Sequence, residues 1–208
     1  MSNMFNLSPK RYDVLREFAN ISAGNAATSL SQLLNKKIEM NVPDVYVAAF
    51  NEVMELFHDP ETEVAAIHSD IHGDITGSMF FILSTAQAKK YIQDIIREHS
   101  FVQSSDVQAL KQSVLAELGN ILIGSYLSVL SNMTNLFINA TVPAIKFDMF
   151  GAIISHALIE LSFDSDEALI IDAVIKETGQ DEDDFIKGHI FFLPDSDSYK
   201  KIFEKLEV

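Results

Sequence analysis

The chain has 208 residues, of which 48% are apolar, so it can bury a substantial core without a metal or a disulfide. Thirty acidic residues against fifteen basic ones give a formal net charge of -15 at pH 7, a balance that repels nucleic-acid backbones and anionic membrane surfaces. The chain has no cysteine, which excludes thiolate metal sites and cysteine nucleophiles. Nucleic acid is therefore not an expected partner.

The N-terminus lacks the basic stretch and apolar core of a signal peptide, and no apolar run approaches the roughly 18 residues of a membrane helix. We expect a cytoplasmic protein with no membrane insertion. The acidity itself needs no explanation beyond solubility.

The first predicted element is a long helix that starts at Ser8 and Pro9, a capping hydroxyl followed by proline, and runs to about Asn35. A second long helix runs from about Ser104 to Asn132 and carries an apolar stripe at helical spacing. After the first long helix we predict a strand over Lys37–Val42, a compact helix over Val47–Phe57, strands over Val64–His72 and Gly77–Leu83, and a helix over Ala86–His99. After the second long helix we predict a strand over Asn139–Val142, a helix over Phe150–Leu161, strands over Ala168–Lys176 and Lys187–Leu193, and a final helix over Ser196–Leu206. The acidic segment Gly179–Asp184 is predicted to be the turn between the last two strands.

These elements occur twice in the same order, as repeats at about 8–100 and 104–206 of one domain spanning 1–208. No linker-like segment separates the repeats. We therefore predict an α/β (α+β) sandwich with pseudo-two-fold symmetry, in which two three-stranded units form one sheet of about six strands. Two long helices and several shorter ones would cover the sheet.

Both long helices carry the same polar motif. At 100° per residue its members fall within about 60° of one another on each helix, so each helix presents a polar strip. The two strips are Asp13, Glu17, Asn20 and Gly24 on the first helix, and Ser113, Glu117, Asn120 and Gly124 on the second. A glycine inside a helix costs about 1 kcal/mol relative to alanine, so it indicates either close approach of a partner or close packing of a neighbouring strand.

An asparagine on such a strip can orient a water molecule, because its amide has both a donor and an acceptor and does not titrate. Catalysis of phosphoryl transfer depends mainly on positioning the attacking water in this way. The glutamate one turn earlier can accept a hydrogen bond or ion pair from a cation on a partner. A single Glu-x-x-Asn is typical of an ordinary solvated face, but two copies in register favour a functional interpretation.

The patterns Asp13-x3-Glu17-x2-Asn20-x22-Pro43 and Ser113-x3-Glu117-x2-Asn120-x22-Pro143 resemble the signature of the CheC/CheX/FliY family of chemotaxis response-regulator phosphatases. The likeness covers almost the whole chain, and neither copy departs from the pattern. Two signatures argue against the single-site CheX type, and the lack of a C-terminal flagellar switch module favours the CheC type over FliY.

The resemblance implies hydrolysis of the aspartyl phosphate on CheY, the chemotaxis response regulator. Asn20 and Asn120 would orient the attacking water, and Glu17 and Glu117 would pair with a lysine of the regulator. Asp13 and Ser113 fit the first signature position, while Pro43 and Pro143 would shape the strand. The protein would have no cofactor of its own, since Mg²⁺ belongs to the regulator, and the deamidase CheD is a further implied partner.

Two other functions remain open. A non-catalytic adaptor would bind CheD or a flagellar switch component through the same fold. A phosphatase for small phosphate esters is disfavoured, because neither strip itself carries a basic residue to hold a free phosphate. His68 and His72 have the spacing of metal ligands on a helix, but their segment is predicted to be a strand, where residues four apart lie about 13 Å from each other. No metal site is predicted.

Overall fold

A computed structural model describes residues 8–53, 59–98, 107–161, 167–179 and 185–206. Its helices are α1 (Pro9–Leu34), α2 (Phe50–Val53), α3 (Thr85–Glu98), α4 (Val107–Thr134), α5 (Phe150–Leu161) and α6 (Ser196–Lys205). Its strands are β1 (Ile38–Asn41), β2 (Val45–Ala49), β3 (Glu63–Gly73), β4 (Gly77–Ser84), β5 (Ile138–Ala140), β6 (Ala144–Met149), β7 (Glu167–Glu177) and β8 (Phe185–Pro194).

The two long helices begin and end as local sequence dictates. Ser8 is the N-cap of α1, its hydroxyl accepts a hydrogen bond from the Arg11 N–H at 3.3 Å, and Pro9 follows at the first helical position. Asn35 ends α1 in the left-handed conformation with φ 50°, and Asn135, just after α4, has φ 55°. Asparagine tolerates this conformation, so the predicted C-terminal ends of both helices and the predicted start of α1 are confirmed to within a few residues. The predicted start of the second helix, near Ser104, lies outside the described residues.

The eight strands form one sheet that is six positions wide, in the order β1-β7-β8-β4-β3-β5, with β2 also paired to β7 and β6 also paired to β3. All of these pairs are antiparallel. The closing strands of the two repeats, β4 and β8, pair at the centre with Phe80 opposite Phe191. The predicted sandwich and the sheet of about six strands are confirmed.

The repeats exchange their edge strands. β1 and β2 belong to the first repeat but pair with β7 of the second, and β5 and β6 of the second repeat pair with β3 of the first. Each signature proline lies in the three-residue connection between two of these edge strands. The structure around each motif therefore depends on residues from both repeats.

The edge strands also account for the errors in the predicted elements. Val45–Ala49 forms β2, so the helix expected from Val47 begins later, at Phe50. Ala144–Met149 forms β6, where no element was predicted. Both segments are strands because β7 and β3 supply backbone partners from the other repeat. Residues 54–57 of the predicted helix lie outside the described residues, as do His99 and residues 180–184 of the acidic turn.

Helices cover both faces of the sheet. α1, α3, α4 and α6 pack on one face, where Phe81 of β4 belongs to the larger buried cluster. α2 and α5 pack on the other face, where Phe80 and Phe150 belong to a second cluster. Because side chains alternate across a strand, the apolar run in β4 contributes to both clusters. α1 contacts α4 through Phe18 and Tyr126, whose rings meet edge to face with centroids 5.7 Å apart.

Helix α4 is long and apolar enough, by length and composition, to cross a membrane over Gln108–Thr134. This corrects the expectation that no apolar run approaches that length. Some 56% of its most apolar window is buried inside the protein, with Leu115, Leu118 and Leu122 in the core. Core packing therefore accounts for the apolar character of α4.

A hydrogen-bonded cluster joins the turn between β3 and β4 to the start of α6. Asp195 is the N-cap of α6, and its carboxylate accepts hydrogen bonds from the Ser198 N–H at 2.7 Å and from the Thr76 hydroxyl. The Thr76 N–H donates to the Ser198 hydroxyl at 2.8 Å. Partial burial raises the pKa of Asp195, but the hydrogen bonds from Thr76 and Ser198 outweigh it and the net pKa is lowered.

We expect Asp195→Ala to lower the free energy of unfolding by about 1–2 kcal/mol at pH 7, the usual cost of losing an N-cap. The folded-state pKa lies below the unfolded value of about 3.9, so this stabilisation is complete above pH 4 and is lost as the pH falls through the folded-state pKa. Urea titrations at pH 7 and pH 3 measure the difference. Asp195→Asn keeps a capping oxygen without the charge and should cost less; equal stability of wild type and Asp195→Ala at pH 7 would refute the assignment.

Candidate functional site: two exposed helical strips

The first strip lies on the solvent side of α1. Asp13, Glu17, Asn20 and Gly24 are all exposed, one or nearly one turn apart. The opposite side of α1 is buried against the core through Leu15, Phe18, Ala19, Ser22, Ala23, Ala26 and Leu30. Because the buried side fixes how the helix packs, the four motif residues are held facing outward.

The second strip has the same layout on α4. Ser113, Glu117, Asn120 and Gly124 are exposed, and the Ser113 hydroxyl donates to the Ala109 carbonyl at 3.0 Å. Burial and the nearby Glu117 carboxylate raise the pKa of Tyr91, a tyrosine of α3. All eight strip residues predicted from the sequence thus lie on exposed helix faces, four on each helix.

The two strip glycines do not serve packing within the described chain. A Cβ atom added at Gly24 or at Gly124 would meet no atom within 4 Å. Of the two readings that the sequence left open, packing of a neighbouring strand is therefore not supported. The bare helix backbone at these positions faces outward and is open to close approach by a partner.

A third glycine, which is not part of the recurring motif, is closely packed. Gly119 lies in α4 immediately before Asn120, and a Cβ atom there would lie 2.3 Å from Cγ2 of Ile67 and 3.2 Å from Cβ of Pro143. Real Cβ atoms do not approach that closely, so α4 reaches its position against β3 because residue 119 has no side chain.

The two signature prolines differ in their surroundings. Pro43 follows β1 and is exposed, whereas Pro143 follows β5 and is buried against Gly119. Proline fixes its own φ and donates no backbone hydrogen bond, which fits its place between two short strands on each edge. Both prolines are expected to shape the adjoining strand. In the second copy, Pro143 also contacts the motif helix directly.

A groove of about 430 Å³ opens beside the second strip, between α4 and β5. Asn120, Gly124 and Pro143 line it, together with hydroxyl and amide side chains that the sequence motif does not include: Ser69, Ser128, Ser131, Asn132, Asn139 and Thr141. The Ser69 hydroxyl of β3 is buried and has no hydrogen-bond partner among the described residues. No local signal marks these residues, because the groove forms only where α4, β5 and Ser69 of β3 come together in the folded chain.

Two exposed apolar side chains adjoin signature residues along the chain. Ile21, next to Asn20, is 41% exposed, and Val142, next to Pro143, is 83% exposed. Isolated exposed apolar residues are common on protein surfaces, but Ile21 directly follows the asparagine of the first strip. The first strip therefore offers apolar contact area beside its amide.

The described residues contain no cluster of three or more His, Asp or Glu side chains that could hold a metal ion. His68 lies in β3, as predicted, where its ring stacks on Phe80 at 4.3 Å and its Nε2 lies 3.2 Å from Oδ1 of Asp70. His68 is thus engaged by its own strand and its neighbour, and the sequence prediction that this segment is a strand is confirmed.

Comparison with known proteins agrees with the two-copy layout. A sequence model of the CheC-like family matches residues 12–47 and 110–147, which contain both signatures. CheY-P phosphatase CheC of Bacillus subtilis (strain 168) is 40% identical over 207 residues, which cover 99% of this chain and 98% of that protein. Flagellar motor switch phosphatase FliY of the same organism is 24% identical over 140 residues, covering 67% of this chain and 36% of FliY.

The fold also matches a solved structure. The crystal structure of FliY from Thermotoga maritima superposes with a TM-score of 0.74 at 20% identity, covering 98% of each chain. At that identity the match shows the shared fold, while the full-length relative at 40% identity shows the family. By sequence over its whole length and by its two matched signatures, this chain belongs to the CheC-like family.

Proposed function

We propose that this protein is a phosphatase that hydrolyses the aspartyl phosphate of a phosphorylated CheY-type response regulator. The observation that carries the proposal is the exposure of the same Glu and Asn pair on two helices, in a chain 40% identical over its full length to a CheY-P phosphatase. Response regulators of this type are cytoplasmic, so the proposal places the protein in the cytoplasm.

The chemistry assigned to the strips is positioning of water. Asn20 and Asn120 are exposed on rigid helices, so either amide can enter a partner's active site and hold a water in line with the phosphorus. The amide does not titrate, and its oxygen and NH₂ can bind the water from the acceptor and the donor side. The nucleophile is then the water itself, with no covalent intermediate on this chain.

Glu17 and Glu117 are assigned to partner recognition. Each is exposed one turn before its asparagine, where a carboxylate can pair with a lysine beside the aspartyl phosphate. The proposal places the Mg²⁺ ion on the regulator, which also supplies the positive charge that neutralises the phosphoryl group. Asp13 and Ser113 then support the start of each strip.

We expect Glu17→Gln with Glu117→Gln to raise the KM for the phosphorylated regulator about 10-fold while changing kcat less. A hydrogen bond between charged groups contributes roughly 1.5–3 kcal/mol, and 1.4 kcal/mol corresponds to a factor of ten. Initial rates over a range of regulator concentrations at low and high salt measure this. An unchanged KM, or a loss confined to kcat, would contradict a recognition role.

The direct test is phosphate release from a Mg²⁺-loaded, phosphorylated CheY-type regulator. Catalytic amounts of the protein should accelerate release above the rate of the regulator alone. CheD, the second partner that the resemblance implies, is added in a parallel series. If folded protein fails to accelerate release with CheD absent and present, while still binding either partner, the adaptor function replaces the phosphatase.

A further inference from the structure

We propose that Gly119 and Pro143 are positioning residues that set where Asn120 stands relative to the sheet, and that they do so for the second strip alone. The inference rests on the proposed function, because it concerns the reach of a catalytic amide. Gly119 lies outside the recurring motif, and under this proposal a change at Gly119 alters the position of Asn120 without altering that of Asn20.

Position 119 has no room for a side chain. A Cβ atom there would lie 2.3 Å from Cγ2 of Ile67, 3.2 Å from Cβ of Pro143 and 3.3 Å from its Cγ. A branched methyl of isoleucine and a proline ring cannot swing aside as the end of a long side chain can. One of the packed elements must therefore shift if residue 119 carries a side chain.

Of the packed elements, β3 is less able to move than α4. Ile67 is fully buried in the middle of β3, and it pairs with Phe81 of β4 on one side and with Ile145 of β6 on the other. Moving Ile67 would disturb backbone pairs on both sides of the strand. Helix α4 is the element that yields, and it carries Asn120, the next residue, away from the sheet and from the groove that Asn120 lines.

The first strip does not have this constraint. Ala19 occupies the position before Asn20 and is completely buried, so a methyl group is accommodated there. Pro43 is exposed, in contrast to the buried Pro143. The first strip is thus supported differently, and a substitution at Gly119 should leave it intact.

The test isolates each site in the full-length protein. In an Asn20→Ala variant, where the second site alone remains, adding Gly119→Ala should lower kcat about 10- to 100-fold, since a displacement near 1 Å can cost that much. KM should change less than about threefold, because Glu117 and the surface around it stay present. In an Asn120→Ala variant, adding Gly119→Ala should leave the first site's rate unchanged.

Rescue distinguishes positioning from loss of structure. Ile67→Leu keeps the volume of the side chain but removes the branched methyl that opposes residue 119, so the triple variant Asn20→Ala, Gly119→Ala, Ile67→Leu should regain most of the kcat. If Gly119→Ala does not fold, Pro143→Ala in the Asn20→Ala protein takes its place, with an expected kcat loss of about 3- to 10-fold. Unchanged kcat in the folded Gly119→Ala protein, or in Pro143→Ala where it stands in, overturns the inference.

A readout without activity separates this inference from the proposed function. The side-chain amide resonance of Asn120 in ¹H–¹⁵N spectra should shift in Gly119→Ala and return toward its original position on adding Ile67→Leu. If wild-type protein accelerates no phosphate release, the proposed function fails, and these resonances alone then decide whether Gly119 positions Asn120. An Asn120 resonance that stays in place overturns the positioning role.

Discussion

Replacing both asparagines, Asn20→Ala with Asn120→Ala, is expected to lower the acceleration of regulator dephosphorylation by about 100-fold or more. Removing one preorganised group that acts in the transition state commonly costs a factor of about 10²–10³, and here the group that orients water is removed from both sites. Phosphate release at saturating phosphorylated regulator measures the effect.

Each single variant is the matched control, because it retains one complete strip. Each single substitution should lower the rate by no more than the contribution of the substituted site to the wild-type rate. Both asparagines are exposed, so the free energy of unfolding of each variant should lie within about 0.5 kcal/mol of the wild-type value. A double variant that is folded and still accelerates release at the wild-type rate would remove these amides from the mechanism.

Gly73→Ala is expected to give the largest loss of stability, about 3 kcal/mol in the free energy of unfolding. Gly73 ends β3 with φ 123°, and a Cβ there would lie 2.2 Å from the Phe137 carbonyl oxygen. That oxygen accepts a hydrogen bond from the Asp74 N–H at 2.7 Å, and Gly73 pairs with Ile138 of β5. The substitution therefore combines a strained backbone with a backbone collision.

Gly179→Ala is the matched control for this prediction. Gly179 also has a positive φ, 93°, but a Cβ there would meet nothing within 4 Å. It should cost about 1–2 kcal/mol, the penalty for the left-handed conformation alone. Urea titrations of both variants give the comparison. Equal losses at the two positions would show that the contact with Phe137 does not contribute to the free energy of unfolding. In that case the contact would not anchor β5 near the second strip.

Much of this architecture can be predicted from local sequence. The caps at Ser8 and Pro9, the apolar stripe of α4 and the paired phenylalanines of β4 and β8 are local signals, and the elements they predict are present. The strips follow from helical spacing alone, since residues three and four apart share a face. The full signature, with its Asp or Ser, Glu, Asn and Pro in register in both copies, carries the resemblance to the family that the comparisons show.

The remainder depends on contacts between distant parts of the chain. β2 and β6 are strands because the repeats exchange edges, and a segment does not carry the identity of its strand partner. The same exchange brings Ser69 of the first repeat to the groove beside Asn120 of the second. In the sequence, Gly119 is only a residue of low helix propensity. Its close packing against Ile67 and Pro143 is visible in the structure alone.

The unequal support of the two strips has a consequence for regulation. The second strip borders a groove and lies next to the buried Pro143, while Pro43 of the first copy is exposed. Substitutions in β3 or β5 should therefore act on the second site with little effect on the first. On the proposed function, the two copies of the motif are expected to respond separately to such substitutions.

In the proposed function, the regulator's phosphoryl group is hydrolysed at these two strips. The structure of the complex between this protein and a response regulator loaded with Mg²⁺ and beryllofluoride, a stable mimic of the aspartyl phosphate, decides whether this is so. We predict the amide of Asn20 or Asn120 at hydrogen-bond distance, about 3 Å, from the water in line with the beryllium, and Glu17 or Glu117 beside a lysine of the regulator. A regulator bound on another surface, with both asparagines exposed to solvent, would rule out hydrolysis at the strips.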